Sequence, residues 1–195
     1  MKINQETKFV VVDCETTGLD PEKDEVVEVA MVTCTMKGIA DQKSWLCKPS
    51  IPIPPAASAI YHLIDEDVAG CDPFPSKGSQ AGMWNGGDAV WAAPNAEFDS
   101  KFLRINPVLC TMRLAQKLWP ELDAYGNQYL RYRLGLKVPL DRSQPMHRAL
   151  PDAIVTATLL IYEIETLLSR AKDPDSITSE YLIQWANEPM LLHTV

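Results

Sequence analysis

The order of apolar segments predicts an α/β fold, a mixed β-sheet flanked by helices. Three observations point to it. Three strand-like runs stand close together near the N-terminus. After residue 88, short apolar runs alternate with segments of helical period. The longest of those segments, Arg148 to Arg170, carries Ile154, Ala157, Ile161, Ile164 and Leu168 at three- and four-residue steps, which gives one apolar stripe. With 195 residues, 46% of them hydrophobic, the chain has enough material for one well-packed core. A single domain over residues 1–195 is expected, with its core at about 8–170 and a C-terminal helical extension over 171–195.

Phe9-Val10-Val11-Val12 is a β-branched run that reads as a buried strand, ended by the turn-rich loop Thr16 to Pro21. Val26 to Cys34 and Ser44 to Lys48 read as second and third strands, making an antiparallel meander. Ile51 to Pro55 is an extended proline segment. Ala56 to His62 predicts a short helix, and Asp65 is placed to cap another from Glu66. Cys71 to Gly87, rich in Gly, Pro, Ser and Asn, is expected to be a mobile loop interrupted by some helix, with Trp84 docked on the core. Ala89 to Ala93 and Val108 to Cys110 read as strands. Helices are expected over Glu97–Arg104, from a Thr111 cap to Leu118, over Asn127–Leu134 and over Ile177–Ala186. Pro151 is tolerable in the first turn of the long helix.

Charge and cysteine content narrow the function classes. The net charge of −8 disfavours a protein that coats long nucleic acid by counterion release. It leaves room for an enzyme that holds a strand end, because bivalent metal inverts the field of an acidic site. Five cysteines, scattered and without a CxxC pair, argue against a disulfide framework or structural zinc. Cys14 is expected to be a small buried strand residue. No apolar run reaches bilayer length, and the first eight residues lack the features of a signal peptide. The expectation is a cytoplasmic protein with no membrane partner, and a homodimer is compatible with it.

Three acidic motifs stand at element boundaries. Asp13 and Glu15 lie two apart at a strand end, where side chains of alternate residues share a face. Two carboxylates so placed repel unless a cation lies between them, and hard oxygen donors suit Mg²⁺ or Mn²⁺. Alone, such a pair is ordinary surface charge. Asp99, in Asn95-Ala96-Glu97-Phe98-Asp99, falls in the first turn of a helix and could serve only as a partner of the helix dipole. His147 and Asp152 bracket the start of the long helix, Asp152 on the side where the stripe meets the core; alone, they could be a solvated loop histidine and another dipole partner. Together, four carboxylates and one histidine match the inventory for two-metal phosphodiester hydrolysis, with histidine able to take a proton near neutrality.

Asp13-Cys14-Glu15-Thr16-Thr17-Gly18, Asn95 to Asp99, and His147-Arg148-Ala149-Leu150-Pro151-Asp152 resemble the three motifs of the DEDD superfamily of 3′→5′ exonucleases. The spacing of His147 and Asp152 resembles its histidine branch. Ile60 to Val68 is similar to a helical segment of that branch, with Leu63 where glycine is common. Cys110 to Ala115, Leu118-Trp119-Pro120 and His147 to Leu150 look most like the exodeoxyribonuclease X subfamily. The resemblance covers about residues 8–168. It implies a ribonuclease H-like fold and release of nucleoside 5′-monophosphates from a nucleic acid 3′ end. It also implies two Mg²⁺ or Mn²⁺ ions per site, held by Asp13, Glu15, Asp99 and Asp152, with His147 as general base. Thr16, Leu19, His62 and Asn95 would contact substrate, Leu19 as an apolar wedge against the terminal base unless it folds onto the core. The position before Asn95 is often histidine in this branch and here is Pro94, which offers neither a side-chain hydrogen bond nor a backbone donor. DNA is favoured as substrate, single-stranded or at duplex ends. RNA trimming, or a binding module that keeps the fold without turnover, are the alternatives.

Overall fold

The computed structural model describes residues 1–75, 87–140 and 147–188. Five strands form one sheet: β1 (Phe9–Thr16), β2 (Val26–Thr35), β3 (Gly38–Leu46), β4 (Val90–Ala93) and β5 (Leu109–Cys110). Their order across the sheet is β3-β2-β1-β4-β5. The first three are antiparallel neighbours, whereas β4 runs parallel to both β1 and β5, so the sheet is mixed as expected. The helices are α1 (Pro55–Tyr61), α2 (Asp65–Val68), α3 (Ala96–Leu103), α4 (Thr111–Leu118), α5 (Asn127–Arg133), α6 (Ala149–Arg170) and α7 (Ser179–Asn187). Among the described residues, no helix is long and apolar enough to cross a membrane.

Alternation along β1 divides the core in two. Phe9 and Val11 join Ala30 and Val32 of β2 in a cluster with α4, α6 and α7, to which α6 contributes Ile154, Ala157, Leu160 and Ile164. Val10, Val12 and Cys14 point to the opposite face and pack with Ala96, Phe102 and Leu103 of α3. A third cluster holds α1 and α2 against Val27 through Ala57, Tyr61, Leu63 and Val68. The last helix belongs to the first cluster through Leu182 and Ala186, and a bridge between Lys2 and Thr178 ties its approach to the N-terminus.

Four expectations change. The third strand begins at Gly38 rather than Ser44, because pairing with β2 recruits Asp41, Gln42 and Lys43, exposed residues with no strand signature of their own. The first strand runs on through Thr16, paired to β2 with a register shift after Glu15. Asp65 is the first residue of α2 rather than its cap; its carboxylate accepts the Ile53 N–H, and Asp67 instead satisfies the N–H of Ile64. Thr111 is likewise the first residue of α4, its hydroxyl directed to the Ala93 carbonyl while Cys110 holds the cap position. Trp84 and most of the expected loop before β4 lie outside the described residues.

Candidate active site

Three separate stretches of chain deliver the acidic residues to one end of the sheet. Asp13 and Glu15 sit on the α6 face near the end of β1, opposite Ala30 and Glu28 of β2. Asp99 comes from the first turn of α3, which packs on the other face. Asp152 comes from the first turn of α6. Asp13 is 8% and Asp99 2% exposed. Asp99 is therefore a buried group facing other charges, rather than a solvated partner of the helix dipole. Its carboxylate accepts a hydrogen bond from the Cys14 thiol at 3.6 Å. Cys14 is buried on its strand as expected and also links β1 to α3 at the site.

The carboxylates act on one another. Burial, then the charges of Asp99, Glu15, Asp152 and Glu28, push Asp13 well above the usual carboxylate range. Burial and the charges of Asp152, Glu28 and Asp99 push Glu15 up to about 8, with Arg148 opposing. Burial raises Asp99 to about 7, against the hydrogen bond from Cys14. Asp152 is raised by burial too, opposed by the Gln128 amide and the charge of His147. The Gln128 amide donates to Asp152 Oδ1 at 3.0 Å.

A cleft of about 370 Å³ opens beside Asp13 and Asp152. Asp13, Asp152 and His147 line one part of it, and Asn95, Met112, Tyr125 and Tyr129 another. His147 is exposed at its mouth, with backbone in the left-handed region (φ 58°) just before α6. Pro94 also lines the cleft, and its carbonyl accepts the Met112 N–H, so it tethers the start of α4. Leu19 stands outside this cleft and is 83% exposed, so it does not fold onto the core. Its loop is turned back by Asp24, whose carboxylate accepts from the Thr17 hydroxyl and the Asp20 N–H. A side chain at Gly18 would collide with that carboxylate, which explains the glycine. Thr16 is buried, with its hydroxyl donated to the Gly18 carbonyl and its own carbonyl accepting from Tyr61. His62 is exposed at the end of α1, again with left-handed backbone.

Residues 10–160, most of the chain and all three motifs, match the family model described as Exonuclease, of ribonuclease T type. The chain belongs to the DEDD family of 3′→5′ exonucleases. It is 32% identical over 191 residues to exodeoxyribonuclease 10 of Escherichia coli K12, covering 94% of this chain and 77% of that one. It is 31% identical over 175 residues to a DNA polymerase III subunit epsilon-like protein of Rhodobacter capsulatus. That match covers 83% of this chain and 24% of the Rhodobacter protein, so the chain spans about a quarter of that relative. A solved structure of exonuclease X in complex with 5′ overhanging duplex DNA superposes with a TM-score of 0.76 at 30% identity, covering 91% of this chain and 99% of the other. The ribonuclease H-like fold is thereby established, and the protein is an enzyme of the exonuclease class.

In this exonuclease the acidic residues have the donor chemistry of a bivalent-metal site. All are oxygen donors, and Asp13 and Asp99 are nearly buried. Negative charge held in this way calls for a cation. Among the described residues, no three His, Cys, Asp or Glu side chains already form a ready-made ligand set, so the fit rests on donor type and shared charge. Two groups at this site escaped the reading of the motifs. Glu28, 4% exposed, stands directly across from Glu15 and accepts two hydrogen bonds from Arg148. Gln128 looks like a surface residue in a polar helix, yet it reaches Asp152.

Proposed function

We propose that this exonuclease removes nucleotides one at a time from DNA 3′ ends, releasing nucleoside 5′-monophosphates. The observation that carries the reading is the interaction of Asp13 with Glu15, Asp99 and Asp152, from three parts of the chain, beside a cleft that Asp13, Asp152 and His147 line. Two Mg²⁺ or Mn²⁺ ions, held by these four carboxylates, would supply charge neutralisation at the scissile phosphate and a more acidic attacking water. Asp13, whose carboxyl interacts with all three of the others, would be central to holding the metal. His147 takes the proton of the attacking water as general base, from an exposed position where it can return that proton to solvent. Leu19 offers apolar surface to the terminal base without reading its identity. Thr16 at the base of the Leu19 loop, His62 and Asn95 complete the substrate contacts. Sequence relatedness to an exodeoxyribonuclease and likeness to an exonuclease bound to DNA support DNA as the substrate.

The test is a time course on 3′-end substrates, DNA and RNA, single-stranded and duplex, with Mg²⁺ or with EDTA. The expected result is stepwise shortening of DNA to 5′-mononucleotides that stops in EDTA. Hydrolysis that persists in EDTA overturns the metal chemistry, and faster shortening of RNA overturns the substrate. His147→Ala should remain folded and lose about 10²- to 10⁴-fold in kcat, the usual worth of a general base. A full rate for that variant across neutral pH removes His147 from the role.

A further inference from the structure

We propose that the partly buried ion pair between Glu28 and Arg148 is a positioning clamp for His147. The pair joins residues 120 apart in sequence and sits beside the catalytic groups without being one of them. Arg148 Nε donates to Glu28 Oε2 at 2.8 Å and Nη2 donates to Oε1 at 2.9 Å, a fork-on-carboxylate arrangement that fixes direction as well as distance. The Ala149 N–H donates to the same Oε2 at 3.1 Å, so one carboxylate grips both the side chain and the backbone at the start of α6.

The clamp acts one residue from His147. A non-glycine residue in the left-handed region is held there only by its surroundings. Arg148, next in sequence, is extended and anchored at its guanidinium, and Ala149 is anchored at its N–H. The far end of the clamp is equally informative. Glu28 lies opposite Glu15 in the β1–β2 register. His147 is thus referenced to the strand pair that carries Asp13 and Glu15. The two charges cancel locally, so the clamp adds no net charge to a site already crowded with carboxylates. Lysine would not substitute, because it lacks the planar fork.

This inference rests on the reading of His147 as the base. The experiment compares Arg148→Lys and the neutral double variant Glu28→Gln/Arg148→Met, each with His147 intact and with His147→Ala. The double variant avoids leaving one buried charge unpaired, and thermal melting verifies that it folds. With His147 intact, kcat on single-stranded DNA should fall roughly 10- to 100-fold in the double variant, the scale of a misplaced reacting group, with KM little changed. Arg148→Lys should fall in between. In the His147→Ala background the same changes should cost nothing further, because residues acting as a unit are not additive. The same fractional loss in both backgrounds overturns the clamp by showing an effect independent of His147. A wild-type kcat in the folded double variant beside an inactive His147→Ala overturns the clamp alone. A wild-type rate for His147→Ala overturns the reading of the base first.

Discussion

Glu163 is a buried acid in an apolar setting. It lies on the buried face of α6 among Leu159, Leu160, Ile164 and Leu167, is wholly buried, and neither carboxylate oxygen has a hydrogen-bond partner among the described residues. Burial, with a smaller contribution from Cys110, pushes its carboxyl well above the usual range. The sign follows from linkage. A raised folded pKa means that the folded state holds the proton while the unfolded chain releases it near pH 4.3, so stability falls as pH rises above that value. Glu163→Met should stabilise the protein by about 1–3 kcal/mol near neutrality, with a smaller gain at about pH 5, as read by urea unfolding at the two pH values. An equal gain at both would show that the carboxyl ionises normally. At this scale the motif residues were legible because each stands at the boundary of an apolar segment, Asp13, Glu15 and Asp99 after one and His147 and Asp152 at the start of one. Asp99 was ambiguous because a first-turn carboxylate has one sequence signature whether it faces solvent or a thiol on the neighbouring strand. Glu28 and Gln128 carried no signal, since a lone polar residue on a strand or polar helix resembles surface.

The elements show the same division between what local pattern specifies and what pairing decides. Strands β1, β2 and β4 and helix α6 announce themselves by apolar runs or an apolar stripe. The first half of β3 does not, because an exposed edge strand has no hydrophobic face to display and exists through its hydrogen bonds to β2. Helix α5 is short, but it braces the active end of α6: the Asn127 amide donates to the Thr156 hydroxyl at 2.7 Å and Gln128 donates to Asp152. That last bond favours the ionised form of a carboxylate whose pKa burial raises. Replacing Gln128 with Leu keeps the bulk and removes the donor. The folded pKa of Asp152 then rises further, and protons compete better with metal for its carboxylate. The expected outcome is a 10- to 100-fold weaker apparent affinity for Mg²⁺, the usual cost of losing a partner of a ligand, with the acid limb of activity moved to higher pH. A metal titration of activity checks it, and an unchanged half-saturation would reduce Gln128 to packing.

For the molecule as a whole, the order of elements was legible and the order of strands was not, because β4 enters beside β1 through contacts far apart in sequence. That arrangement gathers negative charge inside a chain whose net charge is already −8. Asp99 titrates at about 7 and Glu15 at about 8, whereas Asp and Glu in the unfolded chain ionise near pH 4. Between those limits the folded state binds more protons than the unfolded one, so the stability conferred by the protonated cluster is complete below about pH 4 and is lost as pH rises through 7 and 8. Without metal, the melting temperature should therefore decline between about pH 5.5 and pH 8.5. Bivalent metal competes with those protons and binds the folded state, so Mn²⁺ at about 100 times its Kd should add about 2.7 kcal/mol at the alkaline end and much less at the acid end. Asp13→Asn separates the two effects. Removing the most crowded charge should raise the melting temperature in EDTA at about pH 8.5 while erasing most of the Mn²⁺ increment and the hydrolytic activity. Thermal melts of both proteins with EDTA or Mn²⁺ across this range decide the matter. A metal-free melting temperature that climbs with pH, or a Mn²⁺ increment that survives Asp13→Asn, would mean that the cluster's charge is compensated by some other group.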